Sequence, residues 1–167
     1  SISFGSKAQW YGNGVSSSNC AYDSTNNKII ITYVDAASSP ANQGKAIVGT
    51  VSGTSISYGS DATFNSGTTT VYQRSTAHDS SAGKTVIAFR DTGNSNQGTA
   101  VVATVSGTSI SFGSESIFET TATQDINAVY DSGNSKVNIF YEDGADSDKL
   151  KGVIGTVSGT SISFTSV

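Results

Sequence analysis

The sequence predicts an all-β chain assembled from repeated sheets, and three observations support this class. The string VSGTSIS occurs at residues 51–57, 105–111 and 157–163, so the chain repeats itself with a period of about 54 residues. Val, Ile, Phe and Tyr cluster in short runs bounded by Gly, Asn, Asp and Ser, as in strands separated by turns. No stretch keeps the apolar period of an amphipathic helix over several turns.

Each copy of the repeat is predicted to form four strands, named d, a, b and c in chain order. Strand d is the SISF or SISY segment at 1–4, 55–58 and 109–112, which returns at 161–164. An aromatic residue follows it at Trp10, Phe64 and Phe118. Strand a lies at 19–22, 75–78 and 127–130. A turn beginning with Asp separates it from strand b at 28–35, 84–91 and 136–143. Strand c is the Gly-flanked run at 46–53, 100–107 and 152–159.

Strand b is largely apolar on both faces. In the first copy one face carries Ile29, Ile31 and Tyr33, and the other carries Ile30 and Val34. A sheet with two apolar faces must be covered on both sides. Four short antiparallel strands, covered front and back by like units, describe a blade of a β-propeller. A β-sandwich and a β-solenoid are the alternatives, but neither accounts well for an in-register repeat of this length.

The predicted architecture is one repeat domain, residues 1–167, with three four-stranded blades at 1–54, 55–108 and 109–167 and strand d shared at the seams. Known propellers have roughly four to eight blades, so three blades leave two end faces uncovered. Two chains joined head to tail give a six-bladed ring, and we expect a homodimer of this kind. The fourth SISF copy is surplus, or is exchanged between chains.

The composition excludes several classes of partner. Charged residues make up 13% of the chain and the formal net charge is -4. Because the nine Lys and Arg residues are scattered, the chain lacks the basic patch of a nucleic-acid or acidic-membrane binder. Cys20 is the only cysteine, so no intrachain disulfide is expected. The start on Ser1 and the lack of Met favour an excised or engineered repeat fragment.

Departures between the copies predict where a ligand would bind. A two-residue insertion lies in the d-to-a connection of the second copy, and another lies in the b-to-c connection of the first. These connections lie at the same end of an antiparallel meander, and variable loops on a fixed frame often carry binding sites. The loop side chains that suit a glycan are Tyr11, Tyr72, Gln73, Arg74, Asn96, Gln97, Gln124 and Asp125. Packing at a blade edge or simple solvation explains the same residues at least as well.

Three other unusual residues are better explained by the repeat than by chemistry. Trp10 aligns with Phe64 and Phe118, so a core position is expected. His78 aligns with two tyrosines, which favours a packed imidazole over a metal ligand or general base. Cys20 is predicted to be small and half-buried.

The acidic residues of the loops also have structural explanations. Asp35, Asp91 and Asp143 end the three b strands, where closing the b-to-c turn is the favoured role. A glycoside hydrolase using these carboxylates is the less favoured alternative. Asp146 and Asp148 lie beside a DG pair as in a calcium loop, but the full ligand spacing is missing, so we expect a solvated loop. No catalytic residue, metal ion or cofactor is predicted.

The repeat also resembles a known kind of sequence. VATVSGTSISFGS at 102–114, with AVYDSGNSKVNIFYED at 128–143, resembles long repeat arrays in surface and virion proteins of marine phages and cyanobacteria. The architecture is similar to small lectin propellers in which short chains assemble into a ring, a likeness of fold alone. These resemblances imply an extracellular or virion-surface location. The predicted function is a non-catalytic propeller module that binds glycan through its variable loops; the alternative is a structural or designed self-assembling scaffold.

Overall fold

The computed structural model describes residues 4–38, 42–65 and 71–166, without the side chains of 71–73 and 166. The described residues form strands, turns and loops and contain no helix. The strands are β1 (Val15–Asp23), β2 (Lys28–Asp35), β3 (Gln43–Ser52), β4 (Ser55–Tyr58), β5 (Ala62–Asn65), β6 (Val71–Asp79), β7 (Lys84–Asp91), β8 (Gln97–Ser106), β9 (Ser109–Phe112), β10 (Ser116–Asp131), β11 (Lys136–Asp143), β12 (Lys149–Ser158) and β13 (Ser161–Ser166). The all-β prediction is confirmed.

The strands form two antiparallel sheets. The first has five strands in the order β1-β2-β3-β4, with β5 also paired to β3. The second has eight strands in the order β13-β12-β11-β10-β8-β7-β6, with β9 also paired to β8. Its two halves are joined by β10, whose beginning pairs with β8 and whose end pairs with β11. The described residues thus form three similar units, two of which share one continuous strand.

We name these units for the strands that they contain. Unit 1 comprises β1 to β5, unit 2 comprises β6 to β9 with residues 116–122 of β10, and unit 3 comprises residues 123–131 of β10 with β11 to β13. Strand d of the second and third sequence copies is hydrogen-bonded to strand c of the copy before it: β4 pairs with β3 and β9 pairs with β8. The second and third sequence copies therefore each span two units.

The turns between strands a and b repeat one side-chain arrangement. The Asp23 carboxylate accepts hydrogen bonds from the backbone N–H groups of Thr25 and Asn26 at 3.0 and 2.9 Å. Asp79 and Asp131 do the same in the other two units. The last turn residue has a positive φ in each case, and Gly83 at 63° meets this need without steric cost. The turn chemistry predicted from the sequence is confirmed.

Each unit has two faces, which we name by the residues of strand b. The front face carries Ile29, Ile31 and Tyr33 in unit 1 and the equivalent residues elsewhere, and the back face carries the alternate residues. One buried cluster joins the back of unit 1 to the front of unit 2 and includes Ile30, Val34, Val48, Phe64, Ile87, Phe89 and Val101. A second joins the back of unit 2 to the front of unit 3 and includes Val86, Ala88, Val102, Val137, Ile139, Tyr141 and Ile162.

The middle unit shows why strand b is apolar on both sides. Val86 and Ala88 lie in one cluster, Ile87 and Phe89 lie in the other, and all four are fully buried. The three units are therefore stacked back to front, with β6 in contact with both β1 and β10. A two-layer sandwich would bury only one face of each sheet. The expectation that like units cover both faces of a sheet is confirmed for unit 2.

Candidate functional site

The d-to-a and b-to-c connections lie at the same end of the units, as the sequence predicts. The backbone N–H of Thr123, in the d-to-a connection, donates to the carbonyl of Asn96 in a b-to-c loop at 3.0 Å. The N–H of Gly144 donates to the carbonyl of Ala122 at 2.8 Å. The two kinds of connection thus meet at one end of the stacked units. Residues 39–41 and 66–70, which belong to the two connections that carry the insertions, lie outside the described residues, as do the side chains of Tyr72 and Gln73.

Tyr11 is held against unit 1 by a tilted ring contact and a hydrogen bond. Its hydroxyl donates to the Asp35 carboxylate at 2.6 Å, and its ring centroid lies 5.0 Å from that of Tyr33. The Lys45 ammonium lies 2.9 Å from the same carboxylate. Burial acts to raise the pKa of Asp35, but the hydrogen bonds from Tyr11 and Lys45 outweigh it and the pKa lies below its ordinary value. The Tyr11 hydroxyl therefore belongs to an internal network with Asp35 and Lys45.

Arg74 is buried between unit 1 and unit 2, with a relative exposure of 6%. Its guanidinium donates to the hydroxyl and carbonyl oxygens of Thr32 and to the carbonyl of Ser17. Burial lowers the pKa of Arg74 to about 10. The residue therefore tethers β6 to the first sheet, and its side chain is directed into the protein, away from solvent.

The other candidates for glycan contact make separate internal contacts. The Asn96 side-chain oxygen accepts from Arg90 at 3.0 Å, and the Gln97 amide donates to the Thr120 carbonyl at 3.2 Å. The Gln124 amide donates to Asp148 at 3.3 Å. Asp125 has a φ of 46° at an irregularity of β10. The hydrogen bonds of Asn96, Gln97 and Gln124 do not join these side chains to the Tyr11 ring.

The three Asp residues that end the b strands hold the next turn, as expected. Asp35, Asp91 and Asp143 each accept a hydrogen bond from the backbone N–H two residues later, at 3.0, 3.0 and 2.9 Å. Asp143 also accepts from Lys151 and Thr121, which lowers its pKa to about 2. Within the described residues, no three His, Cys, Asp or Glu side chains gather as a metal site.

His78 packs between unit 1 and unit 2. Its Nδ1 lies 3.1 Å from the Thr85 hydroxyl and its Nε2 lies 3.2 Å from the Thr25 hydroxyl. The packed position predicted from the repeat is confirmed. Burial lowers the pKa of His78, although Asp23 and Asp79 act in the opposite direction.

This lowered pKa predicts a pH dependence of stability. An unfolded chain has a histidine pKa of about 6.5, so below this pH the unfolded state binds the proton more readily than the folded state. The free energy of unfolding should therefore fall as the pH drops from 7 towards 5. We expect His78→Gln to flatten this slope relative to the unchanged chain in urea unfolding at each pH. Parallel slopes for the two proteins would contradict the assignment.

The outermost faces of the stack lack a covering unit. On the front face, Val51 of unit 1 is 53% exposed while its equivalent Val105 of unit 2 is 9% exposed. On the back face, Ala88 of unit 2 is fully buried while its equivalent Phe140 of unit 3 is 53% exposed. Most large hydrophobic side chains that are exposed in the described residues lie on these two end faces: Tyr22, Val51, Val129, Phe140 and Leu150.

The exposure of Cys20 differs from the sequence-based expectation. It was predicted to be half-buried, but it is exposed, whereas its equivalent Thr76 in unit 2 is buried. Cys20 lies opposite Ile31 on the front face of unit 1, where no preceding unit covers it. The sequence pattern correctly indicates the face on which Cys20 lies, but the exposure of Cys20 depends on whether another unit covers that face.

The outer edge of β12 borders an open groove. Its volume is about 670 Å³, and it is lined by Phe118, Glu119, Phe140, Tyr141, Leu150, Lys151, Gly152 and Val153. In the other two units the equivalent part of strand c is paired: β3 with β5 and β8 with the beginning of β10. The groove lies beside β12 residues 149–152, which have no outer-strand partner among the described residues. The sequence pattern does not predict this groove. Its one signal is size: Leu150 and Phe140 are large, whereas the equivalent residues of unit 2, Gly98 and Ala88, are small.

Comparison with protein-family models, with curated proteins and with solved structures gives no match to this chain. The described residues include no helix with the length and apolar character needed to cross a membrane.

Proposed function

We propose that the chain is a non-catalytic, self-assembling repeat module whose units are the blades of a β-propeller completed by a second copy. Two chains joined head to tail close a six-bladed ring in this proposal, within the range of roughly four to eight blades that the fold allows. The back of unit 3 in each copy covers the front of unit 1 in the other. This is the same contact that joins units 1 and 2 and units 2 and 3.

One observation carries the proposal: the stack ends in two different faces that match each other. A back face packs on a front face at both described interfaces. Only a back face and a front face are left uncovered at the ends of the described stack, and both expose large apolar side chains. Exposed apolar surface is where association sites are commonly found. Each head-to-tail contact covers one back face and one front face, so a closed ring leaves no end face exposed.

The direct test is the mass of the protein in solution across a range of concentrations. Mass photometry or light scattering should find a species of twice 17.1 kDa that dissociates on dilution without unfolding. A species of a single chain at every concentration up to the millimolar range would contradict the proposal. A mass that grew without limit would show open stacking instead of a closed ring.

Glycan binding at the loop end is a second proposed function, supported by the sequence departures and by the meeting of the d-to-a and b-to-c loops at one end. Its test is a glycan array probed with the assembled protein. Arg74→Ala is unsuitable as a probe because Arg74 is buried between units. Gln124→Ala, whose side chain is near the surface, is the appropriate variant. An array without any bound glycan would remove this proposal and leave the self-assembly proposal intact.

A further inference from the structure

The vacant outer-strand position on β12 has two occupied equivalents in the same chain. β3 is paired with β4 through residues 49–52 and with β5 through residues 44–46. β8 is paired with β9 through residues 103–106 and with β10 through residues 97–100. β12 is paired with β13 through residues 153–158, and within the described chain no outer strand is paired with residues 149–152. An unpaired strand edge is a template for another strand.

Residues 4–11 are the equivalent of the strand that is missing. They align with residues 58–65 and 112–119, and they form no strand in the described structure. Trp10 occupies the position of Phe64 and Phe118 in this alignment. Since the other two segments form the outer strands of units 1 and 2, residues 4–11 would form the outer strand of a unit that precedes unit 1.

This segment already lies where a preceding unit would place it. Trp10 contacts Tyr33 with ring centroids 4.7 Å apart, as Phe64 contacts Phe89 at 5.3 Å and Phe118 contacts Tyr141 at 5.2 Å. A Cβ added to Gly5 would overlap the Thr54 carbonyl oxygen, and Gly59 and Gly113 have the same relation to Thr108 and Thr160. The segment thus sits on the front face of unit 1 as the outer strands of units 1 and 2 sit on the next unit.

We propose that residues 8–11 of one copy form the outer strand along residues 149–152 of β12 in a second copy. This inference rests on the proposed head-to-tail association and adds the strand pairing that closes the seam. The second copy brings the back of its unit 3 to the front of unit 1, which places its β12 edge beside residues 8–11. The groove beside β12 is then filled by the incoming strand.

The register of β5 on β3 and the register of β10 on β8 predict the same alignment of residues 8–11 with β12. Ala62 is opposite Ala46 and Ser116 is opposite Ala100, which places Ala8 opposite Gly152. Thr63 is opposite Lys45 and Ile117 is opposite Thr99, which places Gln9 opposite Lys151. Asn65 is opposite Gly44 and Glu119 is opposite Gly98, which places Tyr11 opposite Leu150. Trp10 takes the irregular position between the last two pairs.

The position along residues 153–158 is occupied by β13 in the single chain. Residues 1–4 carry the same SISF letters as residues 161–164, so the two segments compete for one position at the seam. Phe4, at the end of the first segment, is 90% exposed. The pairing of residues 8–11 is the same whichever SISF segment occupies that position.

Disulfide trapping tests the register directly. In a Cys20→Ser background, one protein carries Ala8→Cys and a second, tagged protein carries Gly152→Cys. Directly opposed residues of antiparallel strands have Cα atoms about 4.5–5.5 Å apart, which a disulfide spans. After mixing and mild oxidation we expect a covalent heterodimer. The register-shifted control pairs Ala8→Cys with Leu150→Cys, and we expect it to cross-link at least about tenfold more slowly because diagonal neighbours lie about 7–8 Å apart.

Two further variants keep the test independent of folding effects. Ala46→Cys with Ala62→Cys forms the internal equivalent of the seam and should give an intrachain disulfide. A Cβ at Gly152 would come within 3.1 Å of the Phe140 ring, so Gln9→Cys with Lys151→Cys serves as a second seam pair. If copies associate but neither seam pair cross-links faster than the register-shifted pair Ala8→Cys with Leu150→Cys, this inference is overturned and the head-to-tail proposal stands. If the copies do not associate at all, both fail.

Discussion

Phe140→Asp combined with Leu150→Asp is expected to convert the assembled protein into a folded monomer. Both side chains lie on the back face of unit 3, with relative exposures of 53% and 79%. In the single chain the two carboxylates stay solvated, so the free energy of unfolding should change little. In the ring they would lose solvent between apolar faces, and a total cost of about 3 kcal/mol corresponds to a dissociation constant roughly hundredfold higher.

The matched control for this variant is Ile117→Asp. Ile117 is also a large exposed hydrophobic residue, at 47%, but it lies on the outer strand of unit 2, away from both end faces. Sedimentation analysis across protein concentration should find the control associating like the unchanged chain. Equal loss of association in both proteins would show that surface charge alone disrupts it, and a double variant that still dimerised would place the contact elsewhere.

Val105→Ala should destabilise the monomer far more than Val51→Ala, although the two residues occupy the same place in the repeat. Val105 is buried between units 1 and 2, so removing two methyl groups should cost about 1–3 kcal/mol. Val51 lies on the uncovered front face of unit 1, so its replacement should change stability by less than about 0.5 kcal/mol. Urea unfolding in the monomeric Phe140→Asp, Leu150→Asp background measures both values.

For dimer formation we expect the opposite order of effects: Val51→Ala should matter more than Val105→Ala. In the otherwise unchanged chain, Val51→Ala should weaken dimer formation because Val51 becomes buried at the seam. Val105→Ala should leave the dissociation constant nearly unchanged, since Val105 already lies inside the chain. Equal costs for the two variants in the monomer would mean that equivalent positions are equally covered, which contradicts the uncovered front face.

Much of the fold was predictable because it depends on local patterns. The Asp residues of the turns, such as Asp23, act on backbone groups two and three residues away, so the sequence alone indicates their role. The apolar character of both Val86 and Ile87 indicates burial on two sides without any knowledge of the neighbours. The repeat itself predicts that the units resemble each other.

The candidate site was less predictable because it depends on which neighbour is present. Cys20 and Thr76 are equivalent in sequence, but only Thr76 has a unit in front of it. Arg74 lies next to an irregularity of β6, where alternation no longer tells which way a side chain points, and it proves to be buried. The three predicted sheets became two because β10 continues from unit 2 into unit 3, a pairing choice made in the tertiary structure.

We propose that each unit hides two apolar faces by stacking back to front around a closed circle. Electron microscopy of the assembled protein tests this most directly, because a view down the axis counts the units and shows any gap. We expect a closed ring of six similar spokes made by two chains, with density joining every neighbouring pair. An open arc of three spokes, or two chains packed front to front with their back faces exposed, would contradict it.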